Sequence, residues 1–151
     1  MMLRRILLTL FASVGLMCLA VGQQGYNQRR SILQVTDVTT DRTEPSVNFE
    51  KNRTKLLGAV VYIDLFDSCV KMQLTDGNGR LIEEPFILNY EPSTYWYYLK
   101  YKHTLLNGET TIYEYTLKPS ISNGKIIYAT LTVHINGWEE VCLTLRPFYN
   151  Q

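Results

Sequence analysis

From Leu56 onward, runs rich in Val, Ile, Tyr, Phe and Thr are broken by short polar stretches at "FDSC", "DGNG", "YEPS", "LNGE", "SNGK" and "INGW". Within the runs apolar and polar residues alternate with a period of two, the signature of strands that bury one face. No apolar period of three to four residues is sustained there, so any helix should be short and peripheral. Asn-Gly and Asp-Gly favour tight hairpins, because a type I′ turn needs positive φ at both central residues. The six breaks predict strands over about 57–66, 69–75, 80–90, 94–105, 110–118, 125–135 and 139–146. Upstream, "SILQVTDV" at 31–38 offers an eighth. Tight connections between consecutive strands make an antiparallel meander, and closing it gives an up-and-down barrel. A β-sandwich built from the same strands is the alternative.

Alternation also assigns faces. In "STYWYYLKYKHT" one face carries Tyr95, Tyr97, Leu99, Tyr101 and His103, and the other Trp96, Tyr98, Lys100, Lys102 and Thr104. The first face is the candidate interior, matched by Tyr113, Tyr115 and Leu117, then by Ile127, Ala129, Leu131, Val133 and Ile135, and last by Val141, Leu143 and Leu145. A tyrosine buries a large ring but needs a partner for its hydroxyl, so a row of inward tyrosines suits a dry core poorly. Tyr95, Tyr97, Tyr101, Tyr113 and Tyr115 are therefore expected to form an amphipathic wall for a small ligand.

The N-terminal end changes the setting. Residues 1–22 place Arg4 and Arg5 before an apolar run from Ile6 to Leu19, with small residues at Ala20 and Gly22. This is the pattern of a secretory signal peptide cleaved before Gln23, with an apolar run too short to span a bilayer. Residues 23–55 are polar and read as an extended N-terminal arm, and 56–151 as the β domain. Without Arg4 and Arg5, thirteen basic residues face fourteen acidic ones. Such a balance supplies no basic field for nucleic acid or for an anionic membrane. Cys18 leaves with the signal, and in an oxidising compartment Cys69 and Cys142 are expected to pair. Both lie on the more polar face of their strands, so the bond should be an outer staple. "NRT" makes Asn52 a glycosylation candidate.

Candidate chemistry is sparse. The chain has no nucleophile elbow, no phosphate-binding glycine loop, no zinc-protease helix motif and no cysteine pair at metal spacing. His103 falls on the apolar face and His134 on a mixed one, and both read as structural. Glu83-Glu84 and Glu139-Glu140 are adjacent in strand-like contexts, which points the members of each pair in opposite directions. In "DGNGR" a hairpin turn accounts for every residue without calcium. A protein with no catalytic residues, no metal and no cofactor is the expectation.

Over about residues 57–148 the chain resembles the salivary lipocalins of ticks. The resemblance is carried by the meander itself, by "DSCVKMQLTD", and by "IIYATLTVHINGWEEVCLTLRPF". The Gly-x-Trp of a lipocalin first strand is absent, Gly58 being followed by Ala59 and Val60. The resemblance implies a barrel that captures biogenic amines, lipid mediators or host proteins, and it transfers no ligand residue. The expected protein is a secreted, monomeric binder of a small amphipathic molecule. The alternative is a β-sandwich that docks an extracellular protein through Trp96, Lys100 and Lys102.

Overall fold

A computed structural model describes residues 29–136 and 140–148. Eight strands run in chain order: β1 (Arg29–Thr40), β2 (Val60–Leu65), β3 (Cys69–Thr75), β4 (Phe86–Glu91), β5 (Trp96–Thr104), β6 (Thr110–Ser122), β7 (Lys125–Ile135) and β8 (Glu140–Pro147). Each pairs antiparallel with the next, and β8 returns to β1 through Leu33–Thr40 and Val141–Pro147. The ring is a closed barrel, so the sandwich alternative does not hold. Closure satisfies the ladder that two open edges would leave exposed.

The barrel follows from the alternation. Leu33, Val35, Val61, Ile63, Val70, Met72, Leu88, Leu117, Ala129, Leu131, Leu143 and Leu145 all point inward and are buried. Two bulges adjust the phase. In β1 the register shifts between Val35 and Asp37, which lets Val38 return to the interior after Thr36. In β7 Ile127 has no partner on β6, so Ile126 is buried and Ile127 is 47% exposed. The expected inward Ile127 is thus corrected by one inserted residue, while Ala129 and Leu131 beyond it face inward as expected.

The "SNGK" turn has positive φ at both Asn123 and Gly124, as a type I′ hairpin requires. After "DGNG" the outcome differs. Asp76 accepts backbone N–H bonds from Asn78 at 2.8 Å and Arg80 at 3.0 Å, but only Leu81 bridges back to β3. The strand expected from residue 80 begins at Phe86, leaving 81–85 as a connecting segment.

The expected polar arm is also revised. Residues 29–40 are a full member of the barrel, anchored by Leu33, Val35 and Val38. At the mouth of the β1–β2 pair, Arg30 grips the buried Asp64 carboxylate with two hydrogen bonds of 2.8 and 3.0 Å. Arg29 and Arg30 thus open strand β1. Helix α1 (Val47–Leu56) follows, where an extended chain was expected. Ser46 caps it by accepting the Phe49 N–H at 3.0 Å, and Arg53 and Lys55 suit its negative C-terminal end. Phe49, 5% exposed, pins the helix to the core.

The cysteine expectation fails. Cys142 on β8 is a free, half-buried thiol that accepts a weak bond from the Thr132 hydroxyl at 3.9 Å. Cys69 lies three strands away round the ring, fully buried with Ile87 and Phe66. Both were placed correctly on outward faces, but alternation cannot report how far apart around a barrel two strands lie. Cys142 should accordingly take up one alkyl group from iodoacetamide without reductant, read by peptide mass. Independently, Ser46→Ala should cost about 1 kcal/mol in urea unfolding, the usual loss for an N-cap.

Candidate functional site

Antiparallel order sends every other connection to the same end of the barrel. One end gathers α1, the 76–85 segment, the β5–β6 turn and the close of β7. The opposite end carries the starts of β1, β3, β5 and β7. Interior side chains near the α1 end, including Tyr101, Tyr113, Val133 and Val141, pack on the core but stay only half-buried. Tyr97, at the other end, is buried at 4% exposure.

The five expected wall residues therefore divide. Tyr101, Tyr113 and Tyr115 come together, because β5 and β6 pair Tyr101 with Tyr113 and Leu99 with Tyr115. Their rings stack, Tyr101 to Tyr113 at 4.8 Å and Tyr101 to Tyr115 at 6.0 Å, with Phe86 tilted against Tyr115 at 5.1 Å. Tyr97 faces inward as expected but packs on Tyr90 at 5.2 Å, away from that group. Tyr95 does not belong to the wall. It occupies the β4–β5 turn with φ of 63° and is 74% exposed. The strand alternation starts one residue later than the sequence suggests, because Tyr95 N–H closes the turn onto the Glu91 carbonyl at 2.9 Å.

A carboxylate joins this cluster. Glu83, on the connecting segment, keeps solvent-accessible surface, yet protein crowds its carboxyl so closely that desolvation pushes its pKa up. Lys55 from α1 opposes the shift. Burial drives the Tyr101 hydroxyl to about 12, with the Tyr115 hydroxyl pulling it back and Tyr113 and Glu83 pushing it further. Tyr115 is likewise raised, by burial first and then by Glu83. The stacked rings thus bring three hydroxyls together, with the Glu83 carboxyl near enough to act on two of them.

His103 completes the inner face of β5. It is 7% exposed, and its Nδ1 has no hydrogen-bond partner. The outward side of the same strands looks after itself: Lys100 pairs with Glu114 at 3.0 Å, Lys118 sits 4.2 Å over Trp96, and Tyr98 donates to Thr94 at 3.3 Å. Elsewhere, Asn52 is exposed on α1, and His134 lies 3.8 Å from Glu140 on the outer surface. Residues 1–22, which the sequence reads as a signal peptide, lie outside the described residues.

Sequence reasoning missed Glu83. Reading 80–90 as a strand made it one of two neighbours facing opposite ways. The signal that could have found it is Pro85, which cannot donate to a ladder and marks the preceding residues as a connection.

No family model, no curated protein and no solved structure matches the chain. Among the described residues no helix is long and apolar enough to cross a membrane.

The Glu83 environment has a pH consequence. A carboxyl whose folded pKa lies above its unfolded value favours the fold at low pH, and that advantage is lost as pH rises through the folded pKa. Glu83→Gln should therefore raise the melting temperature at pH 7, and the gain should vanish below about pH 4, where the unfolded group is protonated too. The difference between the two proteins in thermal melts from pH 3 to 8 reads Glu83, since the Tyr101 and Tyr115 hydroxyls are raised and stay protonated over this range.

Proposed function

We propose that the protein is a secreted, non-enzymatic, lipocalin-like binder that captures a small amphipathic ligand at the α1 end of its barrel. The observation that carries the reading is the stack of Tyr101, Tyr113 and Tyr115 toward the α1 end of the barrel, with Glu83 near enough to help push up the Tyr101 and Tyr115 hydroxyls. Stacked rings offer a hydrophobic slot whose faces attract cations, and a desolvated carboxylate beside them selects positive charge. Of the two kinds of small molecule that the tick-lipocalin resemblance implies, a biogenic amine fits this setting better than an acidic lipid mediator, whose carboxylate would be repelled by that of Glu83. Folded geometry offers the outward face less support as a docking surface, since its charged and aromatic groups already pair within the chain.

Secretion rests on the composition of residues 1–22, and a glycan at Asn52 would project from the exposed side of α1. The reading is of a monomer that uses neither metal nor cofactor and whose partner is the captured molecule.

Two near-isosteric probes test it by calorimetry: 2-phenylethylamine and 3-phenylpropanoate. The amine should bind and the carboxylate should not. Glu83→Gln should weaken the amine about tenfold or more, the scale of a lost hydrogen bond to a charged group. Amine affinity should also rise with pH until Glu83 is ionised, because the cation competes with the proton there. Binding of the carboxylate as strongly as the amine, or an unchanged Glu83→Gln, would overturn the reading.

A further inference from the structure

Strand β5 is paired along most of its length on one side only. Its ladder with β6 runs from Tyr97 to Thr104, whereas β4 meets it only at Trp96, Tyr97 and Tyr98. The phase of the β6 ladder is fixed at its end, where the Leu105 N–H donates to the Glu109 carbonyl at 2.7 Å. Odd-numbered residues of β5 therefore bond to β6, and the backbone N–H and C=O groups of Lys100, Lys102 and Thr104 turn to the β4 side. No β4 residue pairs with them there. Among the described residues no turn or loop backbone bonds to them either. Pro85 accounts for the break: continuing the β4 register would set it opposite Lys102, at a position that must donate an N–H. Backbone groups without a protein partner must meet water, so this edge is open to solvent. The side chains of Lys100, Lys102 and Thr104 are exposed beside it.

We infer that this edge is a docking site for an extended acidic segment of another protein, which adds to β5 as an antiparallel strand and sets carboxylates opposite Lys100 and Lys102. Strand addition takes its affinity from main-chain hydrogen bonds and its selectivity from alternate side chains. Here the outward side chains are the two lysines. Lys100 meets Glu114 on its β6 side at 3.0 Å, an exposed pair that leaves it within reach of a second acid. Lys102 stands opposite Ile112 and has no ion-pair partner among the described residues. Directly opposed residues in a ladder share a face, so acids two positions apart answer both lysines. The residue between them turns inward beside the half-buried Leu99 and Tyr101, and should be apolar. A second copy fits worse. Laid antiparallel on Lys100–Thr104, it would set Lys102 against its own counterpart, and like charges directly opposed destabilise a sheet. Lysines on an open edge thus bar self-pairing while they admit an acidic strand. The inference stands apart from the amine reading, since both lysines face away from the stacked tyrosines.

Titration with acetyl-Thr-Val-Glu-Val-Glu-amide, followed by NMR and amide hydrogen exchange, tests the assignment. In the free protein the amides of Lys102 and Thr104 should exchange fast while those of Tyr101 and His103 are protected, and the peptide should bring Lys102 and Thr104 under protection. Methyl groups on the two Glu nitrogens, which would bond to β5, should abolish binding. Methyl groups on the two Val nitrogens, which point away from β5, should change affinity by less than about twofold. Lys102→Glu should weaken the peptide about fivefold, the scale of one cross-strand charge pair, and a peptide with Lys in place of its first Glu should recover that loss. No binding of the acidic peptide, equal binding of the two methylated forms, or equal binding of the wild type to a peptide with Lys at both Glu positions would each overturn the inference. Lys102 and Thr104 amides already protected in the free protein would overturn it as well. If that protection grew with protein concentration, the occupant of the edge would be a second copy.

Discussion

Closure of the ring by β8 on β1 is the constraint from which the other features follow. Once Leu33–Thr40 and Val141–Pro147 are paired, each strand is committed to one inward and one outward face, and no side chain can change sides without a bulge. The two bulges, at Thr36 and Ile127, are where the chain makes that change. Closure also fixes which connections share an end. Helix α1, the Glu83 segment and the half-buried tyrosines meet because the meander delivers them to one rim. None of them is near another in sequence, apart from the β5–β6 pair. The interior is Leu, Val, Ile and Met through the middle, with tyrosines toward both ends: Tyr90 and Tyr97 at one, and Tyr101, Tyr113 and Tyr115 at the other. Hydrophobic burial along the whole axis holds the barrel together.

Much of this was written in the alternation. The strand positions, the inward Tyr97, Tyr101, Tyr113 and Tyr115, and the inward His103 follow from a period of two and from the turn residues alone. What escaped did so for identifiable reasons. Helix α1 carries only Phe49 and Leu56 against the core, too few to give a periodic signal, and its cap at Ser46 is a single residue in a polar stretch. Ile127 was misassigned because one unpaired residue inverts the phase. Tyr95 was misassigned because a turn consumed it. The Cys69–Cys142 pairing failed at a different level: facing is a local property, and the separation of β3 from β8 is a property of the closed ring.

The site was legible in part. Alternation foresaw that Tyr101, Tyr113 and Tyr115 face inward together, where Tyr115 joins the core, but Glu83, which acts on two of their hydroxyls, sits on a segment without regular structure. Position there is decided by where β3 and β4 end, not by any period. His103 was read correctly for its facing, and only coordinates reveal that its buried Nδ1 lacks a hydrogen-bond partner.

One feature of β5 bears on how such a site could be filled. β4 pairs with β5 only through Asn89–Glu91 and Trp96–Tyr98, whereas β6 pairs with β5 along its length from Tyr97 to Thr104. The stretch bearing Tyr101 and His103 is therefore stitched on one side alone. A barrel with such a seam has a weak line down its wall, and thermal fluctuation should part it there before anywhere else. A guest seated against that stretch would act as a rivet, and its residence time would be set by how often the seam opens and not by the width of the rim.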